Sequence, residues 1–206
     1  RLQCPLGSGA PRHVPAGAGC SRLGRQCHVE PSPQGSRRPA GARDPAPRGG
    51  GGSALGAEPT TDCAALEDLK IEDTNLLSAA VVPAKGDLPE YCRILGYVRP
   101  AINFEIRLPT KDWNGKFYMV GCGALCGRLQ PDNEGFFHSI NHGLRRGYAV
   151  AANDGGHWGA FLRDTRWAAN NPAARFDWEQ RAVTETARVT KTMVKAYYGD
   201  DPRRSY

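Results

Sequence analysis

Two short segments of this 206-residue chain carry the residue types from which a catalytic site is most readily built. The first is the glycine-rich run Gly121-Cys-Gly-Ala-Leu-Cys-Gly127, which follows an apolar run beginning at Lys116. Glycine permits positive φ angles and a close approach of the backbone, so a loop of this kind can offer backbone N–H groups to a developing oxyanion. A plain tight connection between a strand and a helix is the alternative interpretation.

The second segment is Asp154-Gly-Gly-His157, which follows an apolar run ending at Asn153. Its aspartate and histidine suggest acid–base chemistry or metal binding. Because ligands bind beyond the carboxyl ends of strands in open α/β sheets, we predict that Asp154 and His157 support a site from its rim. The alternative is that Asp154 caps the following turn while His157 hydrogen-bonds to a loop backbone.

No nucleophile is predicted to accompany these segments. The Gly-x-Ser-x-Gly turn of many serine hydrolases does not occur, Ser139 lies in a helical context, and Ser205 is the penultimate residue. His138 and His142 have the i,i+4 spacing of a zinc site but lack the adjacent glutamate of a zinc protease, so no metal site is predicted. Core or turn packing, rather than an aromatic substrate platform, is the interpretation for the four tryptophans, Trp113, Trp158, Trp167 and Trp178.

The strands expected around these segments differ in their patterning. In one of them Asn103, Glu105 and Arg107 alternate with apolar residues, which predicts a strand with one face in solvent. The last two are apolar almost throughout, as in interior strands covered on both faces. The predicted strands are Tyr91–Val98, Ala101–Leu108, Lys116–Gly121 and Gly147–Asn153, with a brief apolar run at Ala79–Pro83.

Helices are expected between and after these strands, which argues for an α/β fold. One is predicted over Phe136–Arg145. A longer one is predicted to begin at an Asp177 cap and to end at Gly199, with an ion pair between Arg181 and Glu185 on its outer face. Its inner face is expected to consist of Val183, Ala187, Thr190, Val194 and Tyr197.

Residues 1–62 differ in composition from the rest of the chain. They hold 12 of the 25 Gly, 9 of the 16 Pro and 8 Arg, and no Ile, Phe, Tyr or Trp, so they cannot bury enough apolar surface to fold. We predict a disordered leader, either a linker or a non-native segment from a misplaced start codon. The arginines lack the aromatic interleaving of a nucleic-acid tail, and Cys4, Cys20, Cys27 and His28 lack zinc-site spacing.

The formal net charge of the whole chain is +6. No nucleic-acid partner is predicted. No run of 18 apolar residues occurs, so no membrane span is predicted either.

A series of motifs follows in a fixed order along the chain. They are Cys63-Ala-Ala-Leu66, Tyr91-Cys-Arg93, Ile102-Asn-Phe-Glu-Ile-Arg-Leu-Pro109, Trp113-Asn-Gly-Lys-Phe117, the Gly121–Gly127 loop, Gly147-Tyr-Ala-Val150, Asp154-Gly-Gly-His157, and Tyr197-Tyr-Gly199 through Arg204-Ser-Tyr206. This series resembles the tannase and feruloyl esterase family, secreted serine esterases with an α/β-hydrolase core and an inserted lid. The resemblance runs from Cys63 to the C-terminus.

The resemblance implies that residues 63–206 are the N-terminal portion of an α/β-hydrolase core, truncated before the nucleophile elbow. The family's serine lies on a Cys-Ser-x-Gly-Gly turn a few residues after the Ser-Tyr pair, and its acid and histidine come later, so the triad lies beyond Tyr206. Gly123 and Ala124 become the candidate oxyanion donors, although Cys122 and Ala124 depart from the family's usual glycines.

Further implications concern the rest of the molecule. Cys63 and Cys92 match positions that form a disulfide in the family, with two buried free thiols as the alternative. The spacing of Cys122 and Cys126 permits a local bridge. No cofactor is implied, since the family's calcium belongs to the lid, and a secreted or periplasmic location follows from the resemblance.

Taken together, the sequence predicts part of an esterase for aromatic or phenolic small-molecule esters, inactive on its own. The alternative is a non-catalytic α/β binding or interaction module.

Overall fold

The computed structural model describes residues 56–134, 139–161 and 163–206. Most of the predicted leader and His138 therefore lie outside the described residues. Residues 56–62 were expected to belong to the leader, but Ala57 forms an antiparallel bridge with Trp113, and the Thr60 amide donates to the Tyr197 carbonyl at 2.7 Å. The ordered domain thus begins before the predicted boundary at Cys63.

A six-stranded mixed sheet forms the centre of the domain, in the order β1-β2-β3-β5-β4-β6. The pairs β1–β2, β2–β3 and β3–β5 are antiparallel. Strand β4 is parallel to both of its neighbours, β5 and β6. The predicted strands are present, with a first strand longer than its apolar run indicated. The bounds are β1 Thr74–Val82, β2 Tyr91–Val98, β3 Ile102–Pro109, β4 Lys116–Val120, β5 Ala149–Asn153 and β6 Arg204–Ser205.

The long C-terminal helix begins earlier than its predicted cap. Asn171 caps it, accepting a hydrogen bond from the Ala174 amide at 3.1 Å, and Pro172 occupies the first turn. The expected cap, Asp177, instead lies inside the helix. The helices are α1 Asn141–Leu144, α2 Pro172–Phe176 and α3 Ala182–Tyr198, with a π-turn at Asp177–Arg181 joining α2 to α3 and 3₁₀ turns at Ala64–Asp68 and Arg166–Ala168.

The ion pairs of this helix also differ from the prediction. Arg181 pairs with Asp177 at 2.5 Å, one turn before it, and Glu185 pairs with Arg188 at 2.7 Å. The expected Arg181–Glu185 pair is therefore replaced by two others. Val183, predicted on the inner face, is 54% exposed, because the buried stripe of α3 runs through Ala182, Thr186 and Val189 instead.

Both faces of the sheet carry apolar clusters. On one face α3 and the 3₁₀ turn at Ala64–Asp68 share a cluster with the sheet, and α1 belongs to the cluster on the other face. Trp113 stacks on Tyr198 with ring centroids 4.1 Å apart. A disulfide joins Cys63 to Cys92 with a Cα–Cα distance of 5.6 Å, which ties the segment before β1 to β2.

From Phe104 to Pro109 strand β3 is buried on both faces, contrary to the predicted solvent face, of which only Asn103 is exposed. Glu105 and Arg107 are each 1% exposed. Arg107 donates to Glu105 Oε1 at 2.8 Å and to Asp132 Oδ1 at 2.8 Å, and Arg93 donates to Glu105 Oε2 at 2.9 Å. The segment carrying Asp132 and Asn141 covers this face, so two charged side chains lie in the interior as a hydrogen-bonded network.

Arg107 remains a cation in this network. Burial acts to lower the pKa of its guanidinium, but hydrogen bonds from Arg107 to Asp132 and Glu105 and their negative charges outweigh burial and raise it. The guanidinium also lies over the Tyr91 ring, 5.0 Å from its centroid. Arg107 therefore fixes β3, β2 and the segment after β4 to one another.

Within the described residues, no helix has the length and apolar character needed to span a bilayer.

Candidate active site

The two loops singled out from the sequence meet at one edge of the sheet. Residues 121–127 follow β4 and residues 154–157 follow β5, and these strands are parallel neighbours. The Gly127 amide donates to the Asp154 carbonyl at 3.0 Å, and the Gly159 amide donates to the Gly127 carbonyl at 2.9 Å. The carboxyl ends of β4 and β5 thus carry one continuous, backbone-bonded loop surface.

The loop after β4 adopts a succession of left-handed conformations. The φ angles are 65° at Gly123, 45° at Ala124, 61° at Cys126 and 89° at Gly127. The Cys126 amide is engaged by the Gly123 carbonyl at 3.0 Å. Among the described residues, the amides of Gly123, Ala124 and Leu125 have no hydrogen-bond partner. Gly123 and Ala124 also have left-handed conformations, and backbone N–H groups in turn conformations form anion-binding concavities.

A disulfide between Cys122 and Cys126 closes this loop, with a Cα–Cα distance of 5.2 Å. It encloses the backbone of Gly123, Ala124 and Leu125. Gly127 cannot carry a side chain, since an added Cβ would lie 2.5 Å from the Gly159 nitrogen. The loop is therefore held from within by the cross-link and from below by the loop after β5.

Asp154 anchors the second loop to β3. Its Oδ1 accepts hydrogen bonds from the amides of Asn103 and Gly156 at 3.1 and 2.9 Å, and its Oδ2 accepts one from Asn103 Nδ2 at 2.6 Å. Asp154 is 5% exposed. Burial raises the pKa of its carboxyl, and these hydrogen bonds oppose that effect only in part.

His157 is packed rather than poised beside a nucleophile. It is 6% exposed, its ring stacks on Trp167 with centroids 3.6 Å apart, and its Nδ1 lies 3.2 Å from the Gly155 carbonyl oxygen. Its Nε2 is buried and has no hydrogen-bond partner among the described residues. A Cβ added at Gly127 would lie 3.3 Å from that nitrogen, so His157 faces the loop after β4.

The two serines weighed as nucleophiles have other positions. Ser139 is buried, and its Oγ accepts a hydrogen bond from the Asn141 amide at 3.1 Å. Ser205 pairs with Phe117 near the start of β4. It thus lies three residues, about 10 Å, from the strand end at Val120.

The remaining candidates from the sequence are His142 and the four tryptophans. His142 is exposed on α1, and no cluster of three metal-ligating side chains occurs among the described residues. Of the four tryptophans, Trp113 is a core residue and Trp167 packs on His157, as expected. Trp158 and Trp178 are 72% and 36% exposed, so the packing interpretation does not describe Trp158.

Two residues of this surface gave no signal in the sequence. Arg128 follows the glycine-rich loop, and its guanidinium donates to the carbonyl of Gly159 at 3.1 Å and to that of Ala160. Asp164 accepts hydrogen bonds from the amides of Ala160 and Arg166, both at 3.1 Å. The hydrogen bonds of Arg128 and Asp164 to residues 159 and 160 depend on the path of the loop, which no local sequence pattern indicates.

The raised pKa of Asp154 predicts a pH-dependent stability. Because the neutral carboxyl is favoured in the folded state, its contribution is full below the unfolded pKa of about 3.9 and is lost as the pH rises through the higher folded pKa. The variant Asp154→Asn has no titratable side chain at this position. The melting temperature of the parent minus that of the variant is therefore expected to fall as the pH rises over that interval. Melting temperatures of both proteins between about pH 3 and about pH 7 measure this difference. A difference that rises with pH would contradict the prediction.

These loops lie at the carboxyl ends of parallel strands, as expected of a hydrolase with an α/β core. A sequence model of the family described as tannase and feruloyl esterase matches residues 89–206. The chain belongs to this family.

Known relatives agree with that assignment. An uncharacterized esterase of Xanthomonas campestris pv. campestris is 35% identical over 75% of this chain and 29% of its own length. Mono(2-hydroxyethyl) terephthalate hydrolase of Piscinibacter sakaiensis is 28% identical over 63% of this chain and 24% of its own length. Probable feruloyl esterase B-2 of Aspergillus flavus is 28% identical over 57% and 21%.

The fold is shared with a solved structure. Feruloyl esterase B of Aspergillus oryzae superposes with a TM-score of 0.59 at 23% identity, over 70% of this chain and 30% of its own. The predicted α/β-hydrolase fold is thereby confirmed. The chain spans less than a third of the length of each of these relatives.

Proposed function

We propose that this chain supplies the oxyanion-binding part of a secreted carboxylic ester hydrolase that acts on aromatic or phenolic esters. Membership of the tannase and feruloyl esterase family makes ester hydrolysis the activity class. The observation that carries the proposal is the loop at the carboxyl end of β4, where Gly123 and Ala124 have left-handed conformations and their amides have no partner among the described residues.

The chemistry of acyl transfer accounts for this arrangement. Attack on an ester carbonyl makes a tetrahedral intermediate whose oxygen carries a negative charge, and N–H groups fixed beforehand stabilise it without reorganisation. Gly123 and Ala124 are held in left-handed conformations with their amides free, within a loop closed by a disulfide. Their role is to receive the oxyanion, and the mechanism passes through a serine acyl-enzyme.

The attacking serine is not among residues 56–206 in this proposal. Ser78 lies in β1, at the far side of the sheet. The Ser139 hydroxyl oxygen accepts a hydrogen bond from the Asn141 amide, and Ser205 in β6 pairs with Phe117 near the start of β4. Gly123 and Ala124 follow the other end of that strand, so none of the three hydroxyls is suited to attack a carbonyl bound there.

The names of the relatives support aromatic substrates. One is called a probable feruloyl esterase and one a mono(2-hydroxyethyl) terephthalate hydrolase. Each name describes a small ester with an aromatic acyl group. The Cys63–Cys92 disulfide agrees with a secreted or periplasmic location, where disulfides persist. No cofactor is required by this mechanism.

Hydrolysis assays test the proposal directly. Purified 1–206 is expected to release no 4-nitrophenol from 4-nitrophenyl acetate and no ferulate from methyl ferulate above the buffer rate. Serine-dependent turnover that a phosphonate inhibitor abolishes would contradict it.

The genomic DNA beyond codon 206 provides the complementary test. An open frame encoding Cys-Ser-x-Gly-Gly, whose longer product hydrolyses methyl ferulate, is the expected result. A stop codon at that point would contradict the esterase proposal and favour the non-catalytic binding module.

A further inference from the structure

The loop after β5 carries two large aromatic side chains in solvent. Trp158 is 72% exposed and Phe161 is 59% exposed. A tryptophan contributes most when its ring is covered, since aromatic side chains bury the largest apolar areas in protein cores and interfaces. We call these two side chains the 158–161 ridge. The neighbouring Trp167, by contrast, is packed on His157.

The ridge lies directly beside the loop that carries the free amides. Its central Gly159 donates an amide hydrogen bond to the Gly127 carbonyl at 2.9 Å. Arg128 returns two hydrogen bonds, to the carbonyls of Gly159 and Ala160. The backbones of Gly127 and Gly159 are in direct contact. A Cβ added to Gly127 would lie 2.5 Å from the Gly159 nitrogen, so no side chain fits between them.

The ridge is also fixed from its other side. The Asp164 carboxylate accepts a hydrogen bond from the Ala160 amide, and the Asp164 amide donates to the Phe161 carbonyl at 2.9 Å. Arg166 donates two hydrogen bonds to the same carboxylate, each at 2.8 Å. Trp158 and Phe161 are therefore exposed side chains on an anchored backbone, which is the arrangement of a preorganised binding surface.

We propose that Trp158 binds the aromatic ring of the ester by stacking, with Phe161 three residues further along the same anchored loop, while the carbonyl oxygen faces Gly123 and Ala124. This inference rests on the proposed function and adds the residues that select the acyl group. A flat ring offers its face to an indole, and such pairs gain stability beyond the area they bury. A saturated ring of the same carbon number gains no such contribution, so the ridge selects aromatic over alicyclic acyl groups.

Ligand binding to the chain itself tests the inference without hydrolysis. Methyl benzoate and methyl cyclohexanecarboxylate are the probes, because they share one carbon skeleton while the ring is flat and aromatic in the first and saturated and puckered in the second. In saturation-transfer NMR titrations of 1–206, methyl benzoate is expected to bind more tightly than its saturated counterpart. Trp158→Ala is expected to weaken methyl benzoate binding by about three- to ten-fold, and Trp158→Phe to keep most of it.

Leu77→Ala is the matched control. Leu77 is 59% exposed on β1, which β2, β3 and β5 separate from β4, and the substitution is expected to leave binding unchanged. Three results would overturn the inference: no methyl benzoate binding by the parent, equal binding of both probes, or equal binding by Trp158→Ala and the parent.

The outcome is separable from that of the proposed function. Ring binding that depends on Trp158, together with a stop codon after residue 206, would contradict the esterase and leave the ring site. If the longer product hydrolyses esters and Trp158→Ala leaves its preference for aromatic over alicyclic acyl groups unchanged, only the ring site is contradicted.

Discussion

Replacing Glu105 with alanine is expected to lower the free energy of unfolding by about 3–5 kcal/mol. Glu105 and Arg107 are each 1% exposed, and Glu105 is the carboxylate that Arg93 and Arg107 share. Removing it takes away one of the two carboxylates that pair with the buried Arg107 guanidinium, so that Asp132, whose side chain is 66% exposed, is its remaining charged partner. Breaking a buried ion pair in this way is costly. Urea denaturation followed by circular dichroism measures the change.

Two further variants give this prediction its controls. Asp73→Asn removes an ion pair with Arg99 whose side chains are 56% and 63% exposed, and is expected to cost no more than about 1 kcal/mol. Replacing Glu105 and Arg107 together with methionine is expected to recover much of the loss, because an apolar pair of similar volume leaves no interior charge. A single-variant loss no larger than that of Asp73→Asn would contradict the prediction.

Removing the Cys63–Cys92 disulfide is the second change with a large expected effect. With both cysteines replaced by alanine, the free energy of unfolding is expected to fall by about 3–4 kcal/mol, because the bond links residues 29 apart and restricts the unfolded chain. Both residues are buried, at 5% and 0% exposure. Urea denaturation of the oxidised parent and of the variant gives the difference.

The second disulfide is the matched control for the first. Cys122 and Cys126 are only four residues apart, and the same relation gives a smaller loss of about 2 kcal/mol when both become alanine. A loss at Cys63 and Cys92 that does not exceed the loss at Cys122 and Cys126 would contradict the entropic account.

The sequence was sufficient for the strands and for the order of the two loops. Period-two patterning and apolar runs located β2, β3, β4 and β5 to within about two residues. The alternation in β3 nevertheless led to a wrong solvent face. Polar residues at every second position indicate exposure only if nothing covers them, and the partners of Arg107 come from Asp132 and Asn141, far along the chain.

The long helix illustrates a different limit. Asp177 followed by Gln180 has the pattern of a cap, and so does Asn171 before Pro172. Local rules do not rank two competing caps. In the structure Asp177 is buried and bound to Arg181 within the π-turn, and the helix begins at Asn171.

The candidate site was only partly accessible from sequence. Gly123, Ala124, Asp154 and His157 were selected by type and position, and they stay predictions as functional residues. Whether an amide is free or engaged depends on the path of the loop, so the distinction between Ala124 and Cys126 required coordinates. The exposure of Trp158 likewise depends on the path of its loop, which the hydrogen bond from Gly159 to Gly127 helps to fix and which the sequence leaves open.

The strand order of the sheet has a consequence for biosynthesis. β1, β2 and β3 are paired in the order in which they are made, so Thr74–Pro109 can assemble as a meander while later residues are still being translated. β5 then pairs with β3 across a longer stretch of chain, and such non-local pairing is slower. Until α3 has left the ribosome, the apolar side chains of the sheet that it will cover are exposed to solvent. We expect a chaperone to bind this surface during that interval.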